Sequence, residues 1–197
     1  MTAKPLSTAA LVVYAFAVAL GLGVGSAYWA LAGEYPFGGV AGGPWIAWPA
    51  VGSREVDPYA RGIVTRRAEI PLATGEGLVL TAASDSVGRR LDSACTYTVG
   101  AVTPQARLWT LTLYDQEGGF VPSELKRSGF TSAEVLRDDA GRFGIVLSRQ
   151  LQAGNWLKLP DSGAFTLVLR LYETPAALGT GAIDAKTLPT IERGECA

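Results

Sequence analysis

Between Lys4 and Glu34 the sequence carries no charged residue. This stretch, Leu6–Ala32, is centred on Leu11-Val12-Val13-Tyr14-Ala15-Phe16-Ala17-Val18-Ala19-Leu20. About 20 apolar residues rising 1.5 Å each match a ~30 Å hydrocarbon layer, and only a helix satisfies its own backbone there. The run therefore predicts one transmembrane helix, with the lipid bilayer as its partner. Tyr28 and Trp29 fall near its far end, and Tyr35 and Phe37 follow, where amphipathic rings suit the headgroup region. Lys4 and the terminal amine precede the run, and no Lys or Arg follows it until Arg54. The positive-inside bias then places the N-terminus in the cytoplasm and the remaining chain outside. Ala30-Leu31-Ala32 also resembles a small-x-small cleavage site, so cleavage after Ala32 is the competing reading, although the run exceeds the usual ~7–15 residue core of a signal peptide. Either way the main domain is exported. Gly21 and Gly25, one turn beyond Ala17, offer a small-residue face to a possible helix partner, or reflect only the abundance of Gly and Ala in membrane helices.

Composition narrows what the exported part does. The whole chain has 17 basic and 18 acidic residues; setting Lys4 aside leaves the exported part with a net charge of about −2, neither a nucleic-acid surface nor an acidic tail. The complete lack of His excludes Ser-His-Asp and Cys-His catalysis in their usual forms and every His-based metal site. No cofactor or metal is expected. The two cysteines, Cys95 and Cys196, most simply form one disulfide in an oxidising compartment; two free thiols, or a Cys196 paired with another protein, are the alternatives.

The chain divides into an N-terminal stub and anchor (1–32), a Gly/Trp-rich linker (33–52) and an exported domain (53–197). Within the linker, Trp45 and Trp48 either lie on the membrane interface or fold back onto the domain. Asp57-Pro58 reads as a helix start, and Pro58–Glu69 as a short amphipathic helix ended before Pro71. From Gly77 the period changes to two. Gly77–Ala83, Ala94–Val102, Leu108–Tyr114 and Phe165–Glu173 read as strands, with turns at Asp85–Gly88 and Asp115–Gly119. Val135–Arg137 and Phe143–Ser148 flank a hairpin turn at Asp138–Gly141. The tail from Pro175 reads as mostly irregular. Many short strands with turns between them predict a mainly β protein: an antiparallel, jelly-roll-like β-sandwich preceded by one transmembrane helix and a short amphipathic helix.

Several pieces recur in a familiar order: Asp57-Pro58-Tyr59, Asp85 to Gly88-Arg89, Leu91-Asp92, Cys95-Thr96-Tyr97, Trp109 to Asp115, Phe120-Val121-Pro122, Gly154-Asn155-Trp156-Leu157 and Leu169-Arg170-Leu171-Tyr172. Together they resemble the domain-of-unknown-function 1214 family, in its short bacterial, membrane-anchored form, over most of residues 44–197. The resemblance implies a β-rich, jelly-roll-like sandwich and a bacterial inner-membrane protein with its main domain in the periplasm. It transfers no activity.

On the residues themselves, Arg170 lies mid-strand among apolar neighbours. If the two strongest strands share a sheet, one face gathers Arg170, Tyr172, Tyr114 and Thr112 with Thr110. An Arg fork beside aromatic rings can hold a carboxylate, phosphate or sugar; the plainer reading is an Arg paired with Asp115 or Asp92. Asn155-Trp156 offers an amide and a ring to a glycan, or plugs the end of the sandwich. Asp85, Asp92, Asp115 and Glu117 are the carboxylates to consider for acid–base chemistry, which needs two across a cleft about 5–10 Å apart. The expectation is a binding or structural module for a glycan, lipid headgroup or partner protein, more simply non-enzymatic; a carboxylate-dependent hydrolase of envelope polymers is the alternative.

Overall fold

The computed structural model describes residues 7–33, 35–67, 69–100, 103–123, 125–175 and 183–196. Lys4, Leu6, Glu34 and Val102, which entered the readings above, lie outside the described residues. The chain divides into two compact units, Met1–Phe37 with Val56–Ile70, and Gly38–Glu55 with Pro71–Ala197.

In the first unit the apolar run forms helix α1 (Thr8–Ala32), capped by Ser7, whose hydroxyl accepts from the Ala10 N–H at 3.3 Å. Its mean hydropathy reaches 2.0 and none of its residues is buried. At 25 residues it is about 37 Å long, long and apolar enough to cross a membrane. Helix α2 (Pro58–Arg67) starts where Asp57 Oδ1 accepts from the Tyr59 and Ala60 N–H groups, each at 3.0 Å, with Pro at the first helical position. Arg66 and Arg67 occupy its last turn, at the negative end of the helix dipole.

The second unit is a sandwich of two sheets. The larger has six strands in the order β1 (Val40–Gly42), β2 (Trp45–Ala47), β3 (Gly77–Ala82), β9 (Thr166–Tyr172), β5 (Leu108–Tyr114) and β6 (Gly129–Thr131). The smaller has four, β10 (Thr190–Cys196), β4 (Cys95–Gly100), β7 (Gly144–Ser148) and β8 (Trp156–Lys158). Alternation along β5 and β9 buries Trp109, Leu111, Leu113, Leu167, Leu169 and Leu171. They form one core with Leu80 of β3, Tyr97 and Val99 of β4, Ile145 and Leu147 of β7, and Ile191 of β10. Each such apolar side chain contributes about 1.5–3 kcal/mol by leaving water. Tyr97 meets Phe165 edge-on at 5.5 Å, and Trp109 stacks on Phe143 at 4.8 Å.

Three readings need correction. Residues 40–47, inside the predicted linker, form β1 and β2; Trp45 is fully buried and donates its indole N–H to the Pro189 carbonyl at 2.7 Å. The Gly-rich composition that suggested a linker serves a tight turn at Gly43-Pro44, where Gly43 has φ +64°. The tail, of which residues 176–182 lie outside the described residues, ends in an unexpected strand: β10 pairs antiparallel with β4. Val135–Arg137 is not a strand but joins Phe143 by one isolated bridge, because the Leu136 backbone is taken up by the Asn155 side chain. One pairing also departs from the antiparallel expectation: β7 and β8 run parallel.

Three turns share one construction. In Asp85–Arg89, Asp115–Gly119 and Asp138–Arg142 the first residue's N–H donates to the fifth residue's carbonyl, and its side-chain Oδ1 accepts the fifth residue's N–H at 2.7–2.9 Å. The fourth residue is Gly88, Gly118 or Gly141, with φ of +87°, +79° and +75°, a conformation only glycine adopts without strain.

Cys95 and Cys196, opposite each other at the end of the β4–β10 ladder, form a disulfide.

Candidate functional site

The outward face of the six-stranded sheet is set by the same alternation that builds the core. On β9, Arg170 stands opposite Val79 of β3 and Thr110 of β5. Tyr172 stands opposite Leu108, Val168 opposite Thr112, and Thr166 opposite Tyr114. Arg170, Tyr172, Tyr114 and Thr112 are therefore brought to one face, each half-buried. The Arg170 guanidinium donates from Nη2 to the Tyr114 hydroxyl at 3.4 Å. It forms no ion pair with a carboxylate among the described residues, so the pairing with Asp115 or Asp92 considered above is not made.

Asp115 supports this face indirectly. Its carboxylate accepts the Gly119 N–H at 2.7 Å, closing the turn that follows β5. That turn returns Phe120 across from Tyr114, and the two rings stack with centroids 5.2 Å apart and planes 26° apart. Phe120 is 62% exposed, so the stack presents an open aromatic surface beside the guanidinium. Phe120 was not among the candidates; the signal in the sequence is an aromatic residue directly after an Asp-x-x-Gly-Gly turn. The combination can take a planar anion on the Arg fork and a flat apolar ring on the stack.

Asn155 and Trp156 lie elsewhere, at the start of β8 on the edge of the other sheet. Asn155 is only 6% exposed. Its amide accepts from the Leu136 N–H at 2.8 Å and donates to the Leu136 and Gly144 carbonyls at 2.8 and 3.0 Å. The Trp156 indole donates to the Ser148 carbonyl at 3.1 Å. Asn155 thus spends its polar atoms tying the Leu136 backbone to the start of β7, and Trp156 spends its own on the end of β7. An open hollow of about 390 Å³ borders Asn155, with Asp138, Arg142 and Phe143 among its walls.

Three of the candidate carboxylates, Asp85, Asp92 and Asp115, each accept backbone N–H groups within their own turns. Asp85 is 1% exposed and meets Arg89 Nε at 2.9 Å and Arg193 Nε at 3.2 Å. Burial pushes its carboxyl up, but the Arg89 and Val87 N–H groups and the Arg89 guanidinium outweigh that and hold it below its ordinary value. Asp138, exposed, is lowered too, first by the Arg142 N–H and then by the Arg142 guanidinium. Asp92 Oδ1 accepts the Ala94 N–H at 2.8 Å and so caps the turn into β4. Among the described residues, no three or more Cys, Asp or Glu side chains gather to hold a metal ion.

The mainly β fold is shared with a solved structure. The VPA0106 protein from Vibrio parahaemolyticus superposes with a TM-score of 0.58 at 20% identity, over 72% of this chain and 36% of that one. An uncharacterized protein from Burkholderia cenocepacia matches with a TM-score of 0.43 at 20% identity, over 65% of this chain and 32% of that one. The chain thus spans about a third of the length of these relatives. No curated protein matches it. Residues 76–176, half of the chain and the strands that carry Arg170, Tyr114 and Trp156, match the family described as "Protein of unknown function (DUF1214)". The chain belongs to that family.

Proposed function

We propose that this protein is a single-pass envelope protein whose sandwich binds an acidic glycan on the outward face of its larger sheet. The observation that carries the reading is Arg170, a half-buried guanidinium with no carboxylate partner among the described residues, bonded to Tyr114 beside the exposed Tyr114–Phe120 stack. A uronic-acid-type carboxylate satisfies the fork, and the apolar face of the sugar ring lies on Phe120. Thr112 and Tyr172 supply further hydroxyls on the same face. Helix α1 holds the domain at the membrane; the charge bias of Lys4 over the stretch after Ala32, which has no Lys or Arg until Arg54, favours a cytoplasmic N-terminus and an exported, periplasmic domain. Hydrolysis is the weaker reading, because Asp85, Asp92 and Asp115 each spend oxygen atoms on backbone N–H groups of their own turns, and Asp85 is shifted away from the range a general acid needs.

Calorimetric titration of the full chain in detergent micelles with oligogalacturonate, against a neutral malto-oligosaccharide, tests this. Binding is expected for the acidic oligomer alone, and Arg170→Ala is expected to weaken it about tenfold or more, the worth of one charge-assisted hydrogen bond. Equal affinity for the neutral oligomer, or an unaffected Arg170→Ala, overturns the reading.

A further inference from the structure

Helix α2 carries Arg61, Arg66 and Arg67 and no acidic residue. It packs on the C-terminal turns of α1. Gly62 lets Leu31 approach so closely that a methyl group there would lie 2.6 Å from Leu31 Cδ2. Arg66 lays its guanidinium 4.7 Å from the centre of the Tyr28 ring, and Arg67 donates to the Gly33 carbonyl at 3.0 Å. Glu69 meets Arg67 at 3.5 Å and also accepts the Tyr35 hydroxyl at 2.6 Å. Arg67 is thereby balanced; among the described residues Arg66 has no carboxylate partner. Pro58, Arg61, Gly62, Thr65 and Arg66, one face of α2, line an open hollow of about 530 Å³ with Val56.

The place of this face fixes its partner. Tyr28 and Trp29 are 65% and 82% exposed on the last turns of a helix that buries none of its residues. In a bilayer those rings mark the headgroup level, so the guanidinium held over Tyr28 stands at that level too. An Arg on an aromatic face is fixed in position with its N–H edge free to donate. A positive face at headgroup depth, continuous with a bilayer-spanning helix, meets phosphodiesters first.

We propose that this face of α2 is a phospholipid-headgroup clamp, in which the phosphate of an anionic lipid sits on Arg66 while its acyl chains lie along α1 near Tyr28. The inference rests on the reading of α1 as a membrane anchor and is independent of the glycan face. The clamp fixes how α1 and α2 meet the bilayer surface.

The test reconstitutes the full chain into phosphatidylcholine vesicles with and without phosphatidylglycerol, re-extracts it gently and counts retained lipids by native mass spectrometry. The parent protein is expected to retain phosphatidylglycerol over phosphatidylcholine about fivefold or more. Arg66→Gln is expected to abolish that preference, and Arg66→Lys to keep most of it. Carbonate washing of the same vesicles reports on the anchor separately. Release of the parent protein by carbonate overturns the anchor and the clamp with it. A carbonate-resistant protein whose Gln variant retains phosphatidylglycerol as well as the parent overturns the clamp alone. Displacement of the lipid by inorganic phosphate assigns the site to a soluble anion and likewise overturns the clamp.

Discussion

Replacing both cysteines by alanine removes the covalent link between β4 and β10. Alanine is the choice because Cys95 is buried, and a serine hydroxyl there would add an unrelated cost. The bridge spans 101 residues, and in the chain-entropy model a loop of that size destabilises the unfolded state by about 4.7 kcal/mol. The sandwich unit has roughly 145 residues, for which the unfolding entropy is about 0.3 kcal/mol/K. Together these give a fall in Tm of about 15 °C. The native ladder should survive, because Ile191 stays in the core, Ser86 and Ile191 exchange hydrogen bonds, and Arg193 still meets Asp85. The assay is thermal unfolding of Cys95→Ala/Cys196→Ala in detergent, followed by near-UV circular dichroism with parent and variant side by side. A variant that keeps the native signal and melts within about 3 °C of the parent refutes the loop-entropy reasoning. Loss of the native signal at low temperature refutes the claim that the ladder holds without the bridge.

Asp85→Asn should cost about 2 kcal/mol at neutral pH in urea unfolding, since it leaves Arg193, 16% exposed, without a counter-charge. The parent's acid dependence follows from the lowered Asp85 carboxyl: unfolded chains take up the proton first, so its contribution is complete above the ordinary value of 3.8 and is lost as pH falls below it. Urea midpoints measured down through pH 3 should fall more steeply for the parent than for Asp85→Asn. Gly52→Ala should destabilise by about 3 kcal/mol, because its Cβ would stand 1.8 Å from the Leu72 carbonyl oxygen, where no side-chain rotation relieves it. Gly88→Ala, with nothing within 4 Å but a φ of +87°, should cost only about 1–2 kcal/mol, and a melting series separates the two.

The parts of this fold that can be read from sequence are those where the side chains repeat long enough to declare a period. β5 and β9 each alternate over seven residues, and their pairing makes the Arg170 face a matter of counting by twos. β10 escapes that test because an edge strand here needs one inward residue, Ile191, and otherwise presents Glu192, Arg193, Glu195 and Cys196 in a loop-like composition. β1 and β2 are three residues each, too short for any period, and only the buried Trp45 marks them. The role of Asp85 was hidden for another reason: Arg193, one of its partners, lies far along the chain, so its burial follows from topology and not from neighbours. Phe120 joined the Arg170 face because a bulged turn sets it opposite Tyr114, which no spacing rule in β5 foretells.

The strand order carries a consequence for when the molecule can assemble. β9 is the shared neighbour of β3 and β5, and β10 completes the smaller sheet against β4. A nascent chain that has emerged only as far as Ser148 holds β1 to β3, β5 with β6, and β4 with β7, but nothing joins the first of these groups to the second within the larger sheet. Central pairing waits for residues 166–172, and closure of the smaller sheet waits for 190–196. Such distant partners make folding slow and late. Release of the chain from its N-terminus onward must therefore deliver β9 and β10 before the two sheets can close.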